Sequence, residues 1–132
     1  MHAFRTAVEA GDIGAVEALL AEDVVFTSPV VFKPYPGKAI TAAILRAVSQ
    51  VFQDFRYLRE IGDPAGSDHA LVFTARVGDR ELTGCDFIHV NEDGLIDDLT
   101  VMVRPLSGAH ALAEAMGARF GDIVKEAEAH SA

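Results

Sequence analysis

The chain has no tryptophan and a single cysteine, Cys85. One cysteine excludes an internal disulfide and leaves a reducing compartment open to the protein. Positive charge is scarce: 11 Lys plus Arg stand against 20 Asp plus Glu, a formal net charge of -9. That deficit removes the basic footprint that nucleic-acid binding needs, and it equally disfavours docking on an anionic membrane. No apolar run approaches the roughly 20 residues of a membrane-spanning helix, and no basic segment leading into such a run opens the sequence. The five histidines, His2, His69, His89, His110 and His130, fall at no metal-ligand spacing, and no glycine-rich phosphate loop occurs. Half of the 132 residues are apolar, while glycine and proline number only 11 and 5, so the chain reads as globular. These features lead to the expectation of one soluble, cytoplasmic domain over residues 1–132, with no metal and no cofactor.

What is present is organised around residues 84–104, two strands folded back at Asn91-Glu92-Asp93-Gly94. Upstream, Gly78-Asp79 suits a two-residue turn between strands over 70–77 and 80–90. That turn sets Val77 opposite Arg80, Ala75 opposite Leu82, Phe73 opposite Gly84 and Leu71 opposite Asp86. Alternation then places Asp86 on the apolar face with Phe73, Leu82, Ile88, Leu99, Val101 and Val103. Across the other face, Arg76 and Glu81 are set for an ion pair. Asp97 and Asp98 are neighbours on one strand, face opposite sides and cannot form a dyad.

The rest of the chain covers this sheet. Phe4, Ala7 and Val8 mark a first helix, and Asp12 is placed to cap a second that carries Ile13, Val16, Leu19 and Leu20. Residues 24–28 form a short strand. The loop from Pro29 to Pro36 is unusually apolar, with Val30, Val31, Phe32 and Tyr35, and either folds over an apolar pocket or packs at the domain edge. Gly37-Lys38 opens a third helix that ends near Asp54; residues 55–61 alternate as a strand and 62–68 form a loop. Pro105 stops the sheet, Ser107 caps a last helix aligned on Leu112, Met116, Phe120 and Ile123, and the polar tail at 125–132 frays. The element order predicts an α+β domain, a cone-shaped curved antiparallel sheet with helices on its concave face and a pocket inside. The opposite face bears Cys85, Phe87, Thr100 and Met102 and needs cover; a second copy of the chain is the expected partner, giving a homodimer.

Five segments together resemble the nuclear transport factor 2-like superfamily, in its SnoaL-like and ketosteroid isomerase-like branch. They are Glu9-Ala10-Gly11-Asp12, Leu19-Leu20-Ala21-Glu22-Asp23-Val24, Tyr35-Pro36-Gly37-Lys38, Cys85-Asp86-Phe87-Ile88 and Asp93-Gly94-Leu95-Ile96. The resemblance spans roughly residues 2–106 and implies a cystatin-like cone. It also implies that Asp86 stands where such isomerases keep a buried acid that stabilises an oxyanion, a role that burial favours by raising a carboxyl pKa. Their tyrosine donor falls at Phe4, their general-base aspartate at Ser28, and an acid carried by several cyclases and hydrolases at Val101. None of these three residues can do that work, which argues against ketosteroid isomerisation itself and weakens an epoxide-hydrolase reading.

Asp86 is the leading catalytic candidate, with Ser28 assisting; Phe4, Val31, Phe32, Tyr35, Phe73, Leu99 and Val101 would bind a small, mostly apolar substrate. The expected chemistry is cofactor-free acid–base isomerisation, cyclisation or hydrolysis. Two alternatives stand beside it. Asp86 could be a structural acid bonded to Thr27 or Ser28, and the protein could be a non-catalytic module that holds an apolar ligand or a partner.

Overall fold

The computed structural model describes residues 2–131. Two short helices lead: α1, Ala3–Glu9, capped by the His2 ring accepting from the Phe4 N–H at 3.1 Å, and α2, Ile13–Ala18, capped by Asp12 accepting from the Ala15 N–H at 3.0 Å. Strand β1 (Leu20–Thr27) and the two-residue β2 (Tyr35–Pro36) follow, then α3 (Lys38–Val51). The strands β3 (Gln53–Ile61), β4 (Asp68–Val77), β5 (Arg80–Val90) and β6 (Ile96–Arg104) complete one curved, open sheet in the order β2-β1-β6-β5-β4-β3. All ladders are antiparallel except β1–β6, where Thr27 lies beside Thr100 in parallel.

The β4–β5 register matches the turn-based expectation at all four pairs, with Gly78 at φ +61 taking the left-handed conformation the turn demands. Leu71, Phe73, Leu82, Ile88 and Leu99 are all buried on one face. The helices bury Phe4, Ala7, Val16 and Ala43 against that face, so the core lies on the concave side. Gly84 matters here because its missing side chain leaves room for the Phe73 ring to lie on β5.

Several details differ from expectation. Helix α3 ends at Val51 because the chain is already extended at Phe52 and joins β3 at Gln53. The single last helix is two, α4 (Leu106–Gly117) and α5 (Phe120–Ser131), and the cap of α4 is Pro105 without a side-chain bond, so Ser107 caps nothing. The tail expected to fray at 125–132 is helical through residue 131, because Ile123 and Ala127 bury one stripe of α5; position 132 lies outside the described residues. Arg76 stands opposite Glu81 but pairs instead with Asp54 at 3.0 Å, since β3 brings that carboxylate to its guanidinium. His69 is buried, its Nε2 2.8 Å from the Gly66 carbonyl oxygen. Among the described residues, no helix is long and apolar enough to cross a membrane.

Candidate functional site

Asp86 is a charged-type side chain built into the middle of β5, across from Leu71 on one side and Val101 on the other. Pleat alternation turns it inward, where it is only 7% exposed. An isolated carboxylate in such a place costs several kcal/mol, on the order of a lost hydrogen-bonding shell, unless a donor reaches it. Tyr57 is that donor, its hydroxyl 3.1 Å from Asp86 Oδ2. The two strands are separated by β4, so roughly 10 Å of sheet must be crossed, and a long side chain is needed to span it. Neither Thr27 nor Ser28 bonds to Asp86: Ser28 Oγ instead accepts from the Val30 N–H at 3.1 Å.

Burial pushes the Asp86 carboxyl up to about 7, against the opposing pull of the Tyr57 hydrogen bond. Burial first, and then the charge and hydrogen bond of Asp86, hold the Tyr57 phenol far above its ordinary range, so it stays a neutral donor. The unit therefore contains one group that gains and loses a proton near neutrality and one that keeps its own. Behind Tyr57, the Arg5 guanidinium lies 5.7 Å from the ring centroid, between Glu9 at 3.4 Å and Glu60 at 3.8 Å. Tyr57→Phe is expected to move the Asp86 midpoint upward from about 7, because the bond that favours its ionised form is gone; carboxyl ¹³C shifts titrated by NMR would show this, and an unmoved midpoint would count against the bond.

Asp86 and Tyr57 open into a cavity of about 720 Å³ whose wall is mostly apolar. Phe73 stacks near Phe55 at 5.0 Å and packs on Phe52 at 5.6 Å, making an aromatic wall beside the acid. Phe4, Val31, Tyr35, Val101 and Ser28 also line this space, so most of the residues singled out from sequence meet there. Two do not. Phe32 is 99% exposed: it sits in an irregular segment whose cavity-lining run ends at Val31. Leu99 faces inward but is fully buried at the packed end of the sheet, between Phe26 and Ile88, where no space remains. Tyr57 was not among the sequence candidates, and its signal was the Phe55-x-Tyr57 alternation on one face of β3. Cys85 points to the other face, as does His89, whose Nδ1 lies 2.6 Å from Asp97. No group of three or more His, Cys, Asp and Glu side chains among the described residues is arranged to hold a metal ion.

A family model for the SnoaL-like domain matches residues 1–99. Among solved structures, a steroid delta-isomerase from Pseudomonas aeruginosa is 42% identical, with a TM-score of 0.85 over 92% of this chain and 89% of that one. An uncharacterised protein with a cystatin-like fold from Silicibacter pomeroyi is 41% identical, with a TM-score of 0.87 over 96% and 90%. A polyketide cyclase candidate from Pseudomonas putida, at 24% identity and a TM-score of 0.65 over 80% and 89%, shares the fold. No curated protein matches the chain. With three quarters of its length inside the family model and two relatives above 40% identity, the chain belongs to the SnoaL-like family of the nuclear transport factor 2-like superfamily.

Proposed function

We propose that the protein binds a small, neutral, mostly apolar organic molecule inside the cone and rearranges it by cofactor-free proton transfer, as an isomerase or cyclase. The observation that carries this reading is a lone carboxyl, pushed by burial up to about 7 and bonded to a neutral phenol, in the wall of a mostly apolar cavity of about 720 Å³. As carboxylate, Asp86 takes a proton from carbon next to a carbonyl, the electron pair moves to the carbonyl oxygen, and the proton returns at another carbon. Tyr57 holds the carboxylate, and the Ser28 hydroxyl, free to donate, assists at the substrate oxygen. The family and the relatives named isomerase or cyclase support this class of chemistry. Ketosteroid isomerisation itself is not proposed, because Phe4 and Ser28 stand where the resemblance calls for a phenol and a carboxylate.

The absence of a second carboxyl among the described cavity-lining residues favours one rival, a ligand-holding module without turnover. Incubating the protein in D₂O with a panel of neutral aryl and alicyclic ketones separates the two. Deuterium entering next to the carbonyl, read by NMR, is the expected result; ligands that raise the melting temperature without any exchange would replace the enzyme with the binding module.

The reading includes a homodimer through the outer face of the sheet, working in the cytoplasm. Phe87 is 42% and Met102 59% exposed there, side by side with Cys85 and Thr100 on β5 and β6. Sedimentation at micromolar concentration is expected to show a dimer for the wild type and a monomer for Met102→Glu with Phe87→Asp. A monomeric wild type would end the dimer proposal.

A further inference from the structure

The cavity wall has two parts. Asp86, Tyr57 and Phe73 stand on the sheet within residues 1–99, the stretch that the family model matches. Leu112, Met116, Phe120 and Ile123 come from α4 and α5, beyond that stretch. The first part holds the titratable group; this second part offers the cavity only apolar side chains.

Both ends of the helix pair are fixed. At the start of α4, Gly108 packs so closely on β5 that a Cβ there would come 2.8 Å from the Leu82 Cβ. On α5, Ile123 and Ala127 are buried and Glu126 meets Arg46 of α3 at 2.6 Å, while Arg46 also reaches Glu17 of α2 at 3.4 Å. At the elbow between the helices, Arg119 bonds Gln50 at 3.0 Å. Between these anchors Leu112, Met116 and Phe120 face the cavity, and the anchored Ile123 borders it too. Phe120 lines it while remaining 40% exposed, with Tyr35 across from it at 6.1 Å between ring centroids, so this part of the wall stands at the rim. A fixed apolar wall contributes nothing to proton transfer; what it can do is select by size and shape.

We propose that the α4–α5 pair is the specificity wall of the cavity, with Met116 and Phe120 setting how long an apolar ligand can be while its polar end stays at Asp86. This rests on the reading that the cavity takes a small apolar molecule, and it adds which part of the chain selects that molecule. Each methylene accommodated is worth roughly fourfold in affinity, so a wall displaced by the length of a side chain changes the preferred ligand, not merely its strength of binding.

A homologous series of n-alkyl phenyl ketones, neutral and with one carbonyl, measures this by calorimetric titration. Wild-type affinity is expected to rise with chain length to a limit and then fall. Met116→Ala and Phe120→Ala are expected to move that limit outward by two or more carbons, and Phe120→Leu by less. Leu106→Ala, on an exposed side chain outside the cavity, is expected to leave it in place. Circular dichroism and melting temperature establish that each variant is folded; because Phe120 is partly exposed, its truncations keep the core intact. A limit that stays put in both alanine variants overturns the specificity wall and leaves the binding reading standing, as does a wild type whose affinity climbs along the whole series. A series in which no member binds the wild type overturns the binding reading and the wall with it.

Discussion

Asp86→Asn is expected to reduce turnover by at least about a hundredfold, the lower end of what a positioned acid–base group contributes, while the fold and ligand affinity persist. Asparagine keeps the shape of the side chain and an oxygen for the Tyr57 hydroxyl to donate to, but it cannot carry the proton. Full turnover in this variant would remove Asp86 from the chemistry. The same substitution has a second signature in stability. The folded carboxyl titrates near 7 and an unperturbed one near 3.8, so between those values the native state holds a proton that the unfolded chain has lost. Native stability then falls as pH rises through that window and levels off above about 7, by roughly 4 kcal/mol for a shift of this size. In Asp86→Asn that contribution to the slope is expected to vanish. Urea unfolding at pH 4.5 and pH 8 for both proteins measures the difference, and parallel profiles would mean that Asp86 is not the buried acid described here.

Gly84→Ala is expected to lose about 3 kcal/mol of stability, within the range for overpacking a filled core. A Cβ at this position would overlap the Phe73 ring, which is buried and wedged among Phe52, Phe55 and Tyr57. The ring also meets Tyr57 edge to face at 6.4 Å between centroids, so a displaced Phe73 is expected to disturb the proton-carrying unit as well. Adding Phe73→Leu to Gly84→Ala is expected to restore part of the stability, since the smaller side chain vacates the overlap. Denaturant midpoints decide it; a change under 0.5 kcal/mol in the single variant, about that of an ordinary surface substitution, would show that the contact is not tight.

The parts of this architecture that are legible in the sequence are those with short-range rules. A two-residue turn at Gly78-Asp79 sets the β4–β5 register, and with it the inward direction of Asp86. Tyr57 lacked such a rule. The connection from β3 to β4 runs through residues 62–67 and sets no register, and β3 carries an irregularity between Tyr57 and Arg59, so its facing partners follow only from tertiary packing. The parallel β1–β6 ladder was hidden for the same reason: nothing local marks strands that meet across most of the chain. Phe32 shows the converse. Its apolar character suggests a place in the pocket, yet the cavity-lining run of this segment, Ser28 to Val31, ends one residue before it and leaves the Phe32 ring 99% exposed.

The parallel ladder also bears on how the cavity comes into being. Strands β4, β5 and β6 close on one another over short turns, whereas Thr27 and Thr100 meet 73 positions apart (100 minus 27). Closing so long a loop costs chain entropy before the contacts repay it, so docking of β1 on β6 is expected to follow formation of the β4–β5–β6 array. On that order Asp86 is set within the hairpin array before Ser28, just after β1, reaches the wall. While that side of the sheet is uncovered, the carboxyl is expected to titrate as an ordinary aspartate. Burial is what raises its proton affinity, so the titration of Asp86 is expected to report whether the apolar face around it has been covered.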